Sequence, residues 1–182
     1  VAGPRIHMQP VDGLPLIHVS TPRMRGAQEF VKRAADLVGA MAGLIALAPL
    51  FALLALVIKR ESPGPAFFHQ ERIGKDGIPF RIHKFRTMCV GAEHQAAALM
   101  EQCGGATAFF KVKDDPRVTG FGSFLRRYSL DELPQLWNVL MGEMSLVGPR
   151  PQVLAEVETY SKYDHRRLMV KPGITGPWQV SG

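Results

Sequence analysis

From Leu37 to Ile58 the chain holds 22 consecutive residues without a charge, LVGAMAGLIALAPLFALLALVI. As a helix rising 1.5 Å per residue the run is about 33 Å long, enough for a hydrocarbon core of roughly 30 Å. A buried helix of a soluble domain would carry a polar stripe, and none interrupts this run. Pro49 divides it into 12 and 10 residues. Its ring removes one helical hydrogen bond and crowds the preceding turn. The twenty residues before the run contain Arg23, Arg25, Lys32 and Arg33, and the twenty after it contain Lys59, Arg60, Arg72 and Lys75. A spanning helix carries its Lys and Arg excess on the cytoplasmic side alone. The symmetry therefore predicts a re-entrant helix-break-helix, broken near Ala48-Pro49, with both ends on one face.

Elsewhere the pattern is mixed. Residues 1–29, with Pro4, Pro10, Pro15 and Pro22, lack sustained periodicity and read as a linker or the tail of an upstream domain. After a turn at Ser62–Pro65, the segments Ala66–Ile73 and Ile78–Met88, joined by Gly74–Gly77, read as a β-hairpin. A period of two places Phe80, Ile82, Lys84 and Arg86 on one face. Residues 91–102 predict a short helix ended by Gly104-Gly105, and another begins near Phe121. Helical spacing of Leu133, Leu136, Trp137 and Leu140 predicts a helix from Asp131 to Met141, and a further amphipathic helix covers 151–168. Residues 171–182 read as a loop, and no internal repeat is visible.

Composition narrows the function classes. The chain has 182 residues, of which 46% are hydrophobic and 21% charged, so neither a disordered tail nor a coiled coil fits. A net charge of +6 favours an anionic partner, whether phosphate, nucleic acid or acidic lipid. Cys89 and Cys103 form no C-x-x-C pair and the six histidines no H-x-x-x-H pair, which speaks against a disulfide scaffold or a structural zinc. The first long apolar run starts well inside the chain, so no secretory signal is in view.

The candidate chemistry centres on Ser129-Leu-Asp-Glu-Leu-Pro-Gln135. Two structural readings explain its acids: Ser129 with Glu132 as a capping box, or Asp131 as the N-cap, which puts Pro134 where no helical hydrogen bond is lost. The surroundings favour a site. Arg126 and Arg127 lie one turn before the acids, and Arg150 is fixed between prolines in Val147-Gly-Pro-Arg-Pro151. A helix start beside an arginine suits phosphate, and carboxylates beside phosphate call for a cation, for which Mg²⁺ held by one or two carboxylates is the usual answer. Neither G-x-x-x-x-G-K-S/T nor G-x-G-x-x-G occurs, so no P-loop or Rossmann site is indicated.

A series of motifs in fixed order carries a resemblance: K-R-x-x-D (Lys32, Arg33, Asp36), the Pro-broken apolar run, F-H-Q-E-R-I-G-x-x-G (Phe68–Gly77), K-F-R-T-M (Lys84–Met88), D-D-P-R-V-T (Asp114–Thr119), L-R-R-Y-S-L-D-E-L-P-Q-L-W-N-V-L (Leu125–Leu140), G-E-M-S-L-V-G-P-R-P (Gly142–Pro151) and K-P-G-I-T-G (Lys171–Gly176). Over about residues 30–182 the chain resembles the bacterial sugar transferases, the monotopic phosphoglycosyl transferases that start exopolysaccharide, O-antigen or glycoconjugate assembly. The resemblance implies transfer of a sugar 1-phosphate from a UDP-sugar to polyprenyl phosphate at the cytoplasmic face of the bacterial inner membrane, with release of UMP. It implies Asp131 as nucleophile, Glu132 as its catalytic partner, both as ligands of Mg²⁺, and Arg126 and Arg150 as phosphate-binding residues. Lys84 and Arg86 are expected to join them from the hairpin.

The expected fold is α+β and mostly helical: the re-entrant helix at 37–58 and a catalytic part at 66–182 built of amphipathic helices and a short hairpin. Expected partners are the UDP-sugar, polyprenyl phosphate and membrane lipids, with a homo-oligomer left open. Two departures stand out. The family often has Ser before the membrane proline, where this chain has Ala48, and it continues past Q-V-x-G, where this chain stops, as a truncated domain would. The alternative is a membrane-anchored adaptor whose basic surface binds lipid or nucleic acid. Nucleic-acid binding is not expected, because the aromatic content is only 8% and few aromatics sit among cations. No motif identifies the sugar.

Overall fold

The computed structural model describes residues 5–11, 14–20, 26–92, 115–161 and 164–180. The chain forms two units, residues 1–35 and 36–182. In the first, β1 (Arg5–Val11) and β2 (Leu14–Ser20) pair antiparallel, from Arg5 with Ser20 to Val11 with Leu14. The stretch read as irregular thus contains a hairpin. The missed signal is Asp12-Gly13 between the strands, a dipeptide that tight hairpins favour, and Pro10 and Pro15 are tolerated because a two-stranded ribbon has free edges.

The helix α1 runs from Ala27 to Glu61, and its residues from Asp36 onward belong to the second unit. It continues through Ala48 and Pro49 as one helical element, so the break expected there is not seen. Proline removes one hydrogen bond, yet the turns on either side remain helical when packing holds them. Here the packing is a stripe at helical spacing: Asp36, Ala40, Leu54 and Ile58 are buried, and Gly43, Leu47, Leu50 and Phe51 half-buried. Val38, Met41, Ile45, Leu53 and Leu56 are exposed at the same spacing on the remaining surface. The helix is long and apolar enough to cross a membrane.

Both parts of α1 are bonded to the folded body of the second unit. Near its start, Asp36 accepts hydrogen bonds from Ser145 Oγ at 2.8 Å and Leu146 N at 3.2 Å. At its end, Glu61 Oε1 accepts from Phe121 N at 2.9 Å.

The body is built around a hairpin, β3 (Phe67–Ile73) with β4 (Pro79–Phe85), close to the predicted bounds. Alternation along β4 divides the core. Phe80 and Ile82 pack with Ala40, Val139 and Met144, whereas Phe85, of opposite parity, packs with Leu54, Ile58, Ala66 and Leu125. The hairpin therefore lies between two apolar clusters, and α1 contributes to both.

The remaining elements are short: α2 (Gly120–Arg127), a 3₁₀ turn at Leu130–Gln135, α3 (Leu136–Met141), β5 (Ser145–Val147), α4 (Leu154–Val157), a 3₁₀ turn at Asp164–Met169, β6 (Gly173–Thr175) and α5 (Pro177–Val180). The helix expected over 131–141 is thus a 3₁₀ turn followed by a short α-helix, with Pro134, which has no N–H to donate, inside the turn. The helix expected over 151–168 is also two pieces. Thr159 Oγ1 donates to Glu156 O at 2.8 Å and Ser161 Oγ to Asp164 Oδ2 at 2.7 Å, local bonds that compete with a continuous ladder. The terminal segment read as a loop contains β6, which pairs parallel with β5. The helix expected at 91–102 lies, from residue 93 onward, outside the described residues. The architecture is α+β, with two-stranded sheets among helices.

Candidate active site

The acidic pair enters through a strained turn. Ser129 adopts a left-handed conformation, φ 56°, uncommon for a residue with a Cβ, and this reverses the chain between α2 and the 3₁₀ turn. Its side chain makes no capping hydrogen bond, so the capping box is not formed, and Asp131 lies inside the 3₁₀ turn rather than at its N-cap. Glu132 points elsewhere: its Oε1 accepts from Lys84 Nζ at 2.6 Å, with both side chains mostly buried. Burial pushes the Asp131 carboxyl above the usual carboxylate range; the charges of Lys84 and Arg126 oppose this rise and that of Glu132 adds to it.

Beside this pair is a cleft walled by Arg72, Lys84, Glu132, Gln135, Arg150 and Trp178, with Ile82 and Gly173 in its lining. Lys84 reaches it because it shares the β4 face of Phe80 and Ile82. Arg150 is held by a close approach of two backbones. A Cβ on Gly173 would overlap Gly148 N, so only glycine fits where β6 meets the chain beyond β5. Gly173 N donates to Pro149 O at 2.8 Å and Gly148 N to Thr175 O at 2.9 Å. Trp178 Nε1 donates to Gly148 O at 3.0 Å, and the Arg150 guanidinium lies 5.5 Å from the Trp178 ring centroid. The motifs G-P-R-P and K-P-G-I-T-G thus form one structure that fixes Arg150.

The other expected anion ligands are placed differently. Arg126 donates through Nε to Thr87 Oγ1 at 2.9 Å, and its charge acts on Asp131. Arg86 does not line the cleft. Its guanidinium donates to Ser62 O at 2.7 Å, Ser62 Oγ at 2.9 Å and Pro63 O at 2.9 Å, serving carbonyls just past the end of α1. Parity groups it with Lys84, but β4 ends at Phe85 and the bonds to Ser62 and Pro63 hold its guanidinium. Arg72, Gln135 and Trp178 also line the cleft, although the sequence motifs do not mark them as site residues. Arg72 is accessible to the same parity argument, since β3 pairs it with Phe80 across the hairpin.

Asp131 and Glu132 offer hard oxygen donors, and a buried carboxyl with a raised pKa next to a second carboxylate is stabilised by a nearby cation. Among the described residues no group of three or more His, Cys, Asp or Glu gathers at one place. Two carboxylates alone would leave most of an ion's shell to water and phosphate oxygens, the manner in which Mg²⁺ is usually held.

The sequence matches the family model described as bacterial sugar transferase over residues 27–182. The chain belongs to this family. The bacterial sugar transferases similar to it include the UDP-galactose-lipid carrier transferase of Erwinia amylovora, 44% identical over 171 residues, or 92% of this chain and 36% of the relative. The UDP-glucose:undecaprenyl-phosphate glucose-1-phosphate transferase of Escherichia coli (strain K12) is 40% identical over 178 residues, 96% of this chain and 36% of the relative. The exopolysaccharide production protein ExoY of Sinorhizobium fredii is 44% identical over 155 residues, 83% and 69% respectively. Against the first two, this sugar transferase chain spans about a third of the relative's length.

Proposed function

We propose that this chain carries the catalytic part of an enzyme that moves a sugar 1-phosphate from a UDP-sugar to polyprenyl phosphate, the step that starts exopolysaccharide or O-antigen assembly. The observation that carries the reading is Glu132, bonded to Lys84 in a cleft that also holds Arg150, with the buried Asp131 carboxyl next to it in the chain. The names of two family relatives, a UDP-galactose-lipid carrier transferase and a UDP-glucose:undecaprenyl-phosphate glucose-1-phosphate transferase, support it.

In this reading the ionised Asp131 carboxylate attacks the β-phosphorus of the donor. The bond from that phosphorus to the bridging oxygen breaks, UMP leaves with that oxygen, and the sugar phosphate remains on Asp131. An oxygen of the polyprenyl phosphate then attacks the same phosphorus, and the carboxylate departs. No general base is required, because both attacking oxygens are already anionic. Arg150 and Lys84 orient the phosphates, and Arg126 helps keep Asp131 ionised. Asp131 and Glu132 would hold Mg²⁺, which supplies charge against repulsion between carboxylates and phosphates.

The detergent-purified chain is tested with a panel of UDP-sugars and undecaprenyl phosphate. UMP release that depends on the lipid, with ping-pong kinetics, is expected. Release of UDP instead would mean transfer of the sugar alone and would overturn the phosphate chemistry.

The same reading places the body at the cytoplasmic face, with α1 dipping into that face of the membrane rather than crossing it and both its ends on one side. Support comes from the bonds at Asp36 and Glu61, which tie both parts of the helix to one body. Those residues are 25 positions apart, about 38 Å along a straight helix, more than a hydrocarbon core. A spanning helix would have to break one of the two anchors. Single cysteines at Lys32 and Lys59, in a chain lacking Cys89 and Cys103, are expected to react with an impermeant reagent from the same side. Reaction from opposite sides would refute this placement.

A further inference from the structure

Arg72 has a role still to be accounted for. By register its side chain shares a sheet face with Gln70, Phe80, Ile82 and Lys84, and it lines the cleft with Lys84, Glu132 and Arg150. Its Nη2 donates to Gln70 Oε1 at 2.8 Å, which aims the guanidinium. Its Nε is buried without a hydrogen-bond partner among the described residues. A guanidinium has five donors in a planar fork, and leaving one buried and unpaired costs the full desolvation of that group. Its charged neighbours are Glu156, Arg150 and Glu132. Two arginines from separate segments thus face one cleft, where Glu156 and Glu132 offset part of their positive charge and a bound anion would add to that.

We propose that Arg72 is a binding residue for the diphosphate of the donor, clasping it together with Arg150. The inference rests on the reading of the chain as a UDP-sugar transferase and adds a residue to that site. A diphosphate presents oxygens on two adjacent phosphorus atoms, so two forks can each take one phosphate, and Lys84, which has donors beyond its bond to Glu132, adds its charge beside them. The competing account is structural. Glu156 Oε2 is also buried without a partner, and Arg72 could serve only to neutralise it.

The test uses the full chain in detergent with Arg72→Gln, Arg72→Lys and Glu156→Gln. Arg72→Gln is expected to raise the donor KM about tenfold or more with little change in the lipid KM, because a charge-assisted contact to the donor is lost. Arg72→Lys should recover part of the loss, and Glu156→Gln should leave the donor KM within about twofold. If Arg72→Gln and Glu156→Gln lower the thermal midpoint equally and neither moves the donor KM, the structural account holds and the proposal fails. Equilibrium binding of inorganic pyrophosphate separates this from failure of the transferase reading. If no UDP-sugar is turned over but Arg72→Gln weakens pyrophosphate binding about tenfold, the reading falls and the anion site stands. Equal pyrophosphate binding by wild type and Arg72→Gln, or none by either, removes Arg72 from the site.

Discussion

Asp131→Asn is expected to lower sugar-phosphate transfer by about 10⁴-fold or more, the scale seen when a nucleophile is removed from a covalent mechanism. The amide matches the carboxylate in shape but cannot attack phosphorus, so radioactive UDP-sugar should no longer label the protein. A second readout comes from stability. Burial raises the Asp131 pKa in the folded state, so the folded chain holds this proton more tightly than the unfolded chain. The resulting contribution is fully present below the unfolded value, about 4, and is lost as pH rises through the folded value. Asparagine has no charge to bury. In chelator, where no divalent cation offsets the burial, Asp131→Asn should therefore raise the melting midpoint at neutral pH and lose that advantage below about pH 4. Transfer at a near wild-type rate would return the acidic pair to a structural role.

Gly173→Ala is expected to be the most disruptive small substitution in the described body. The added Cβ would overlap Gly148 N and lie 2.6 Å from Gly148 Cα and 2.7 Å from Val147 C, all backbone atoms that no rotamer change can move aside. Relief requires β5 and β6 to separate, at a cost of about 3 kcal/mol. Arg150 and Trp178 move with them, so transfer should fall more than stability alone would dictate. Gly120→Ala is the control: its nearest contact would be Glu61 Oε1 at 3.5 Å, an ordinary distance. Thermal melting and donor KM measured on both variants check the claim. A Gly173→Ala chain with wild-type midpoint and rate would show that the two strands need not meet this closely.

What the sequence shows well is whatever depends on local period. The apolar run, the β3–β4 hairpin and the strand face that Lys84 shares with Phe80 and Ile82 follow from spacing alone. What it hides depends on contacts between distant segments. Ser129 and Glu132 satisfy the capping-box pattern, yet Lys84, 48 residues earlier, takes Glu132 away. Arg86 fits the strand parity of Lys84, but the carbonyls beyond α1 claim its guanidinium. Proline inside α1 suggests a break because its own hydrogen bond is lost, whereas the packing on both sides of it keeps the helix whole. Arg72 becomes legible once the period of two is applied to β3 as well as to β4.

The parallel pairing of β5 with β6 also orders events during synthesis. Arg150 is aligned by Gly173 and Trp178, which are made after it, whereas α1 is made before any part of the cleft. Because domains emerge from the ribosome N-terminal part first, the nascent chain exposes its apolar helix while Arg150, the proposed donor-binding arginine, is still unplaced. In the proposed reading, delivery to the bilayer precedes competence: a chain stalled before β6 would carry its membrane helix but not an assembled cleft.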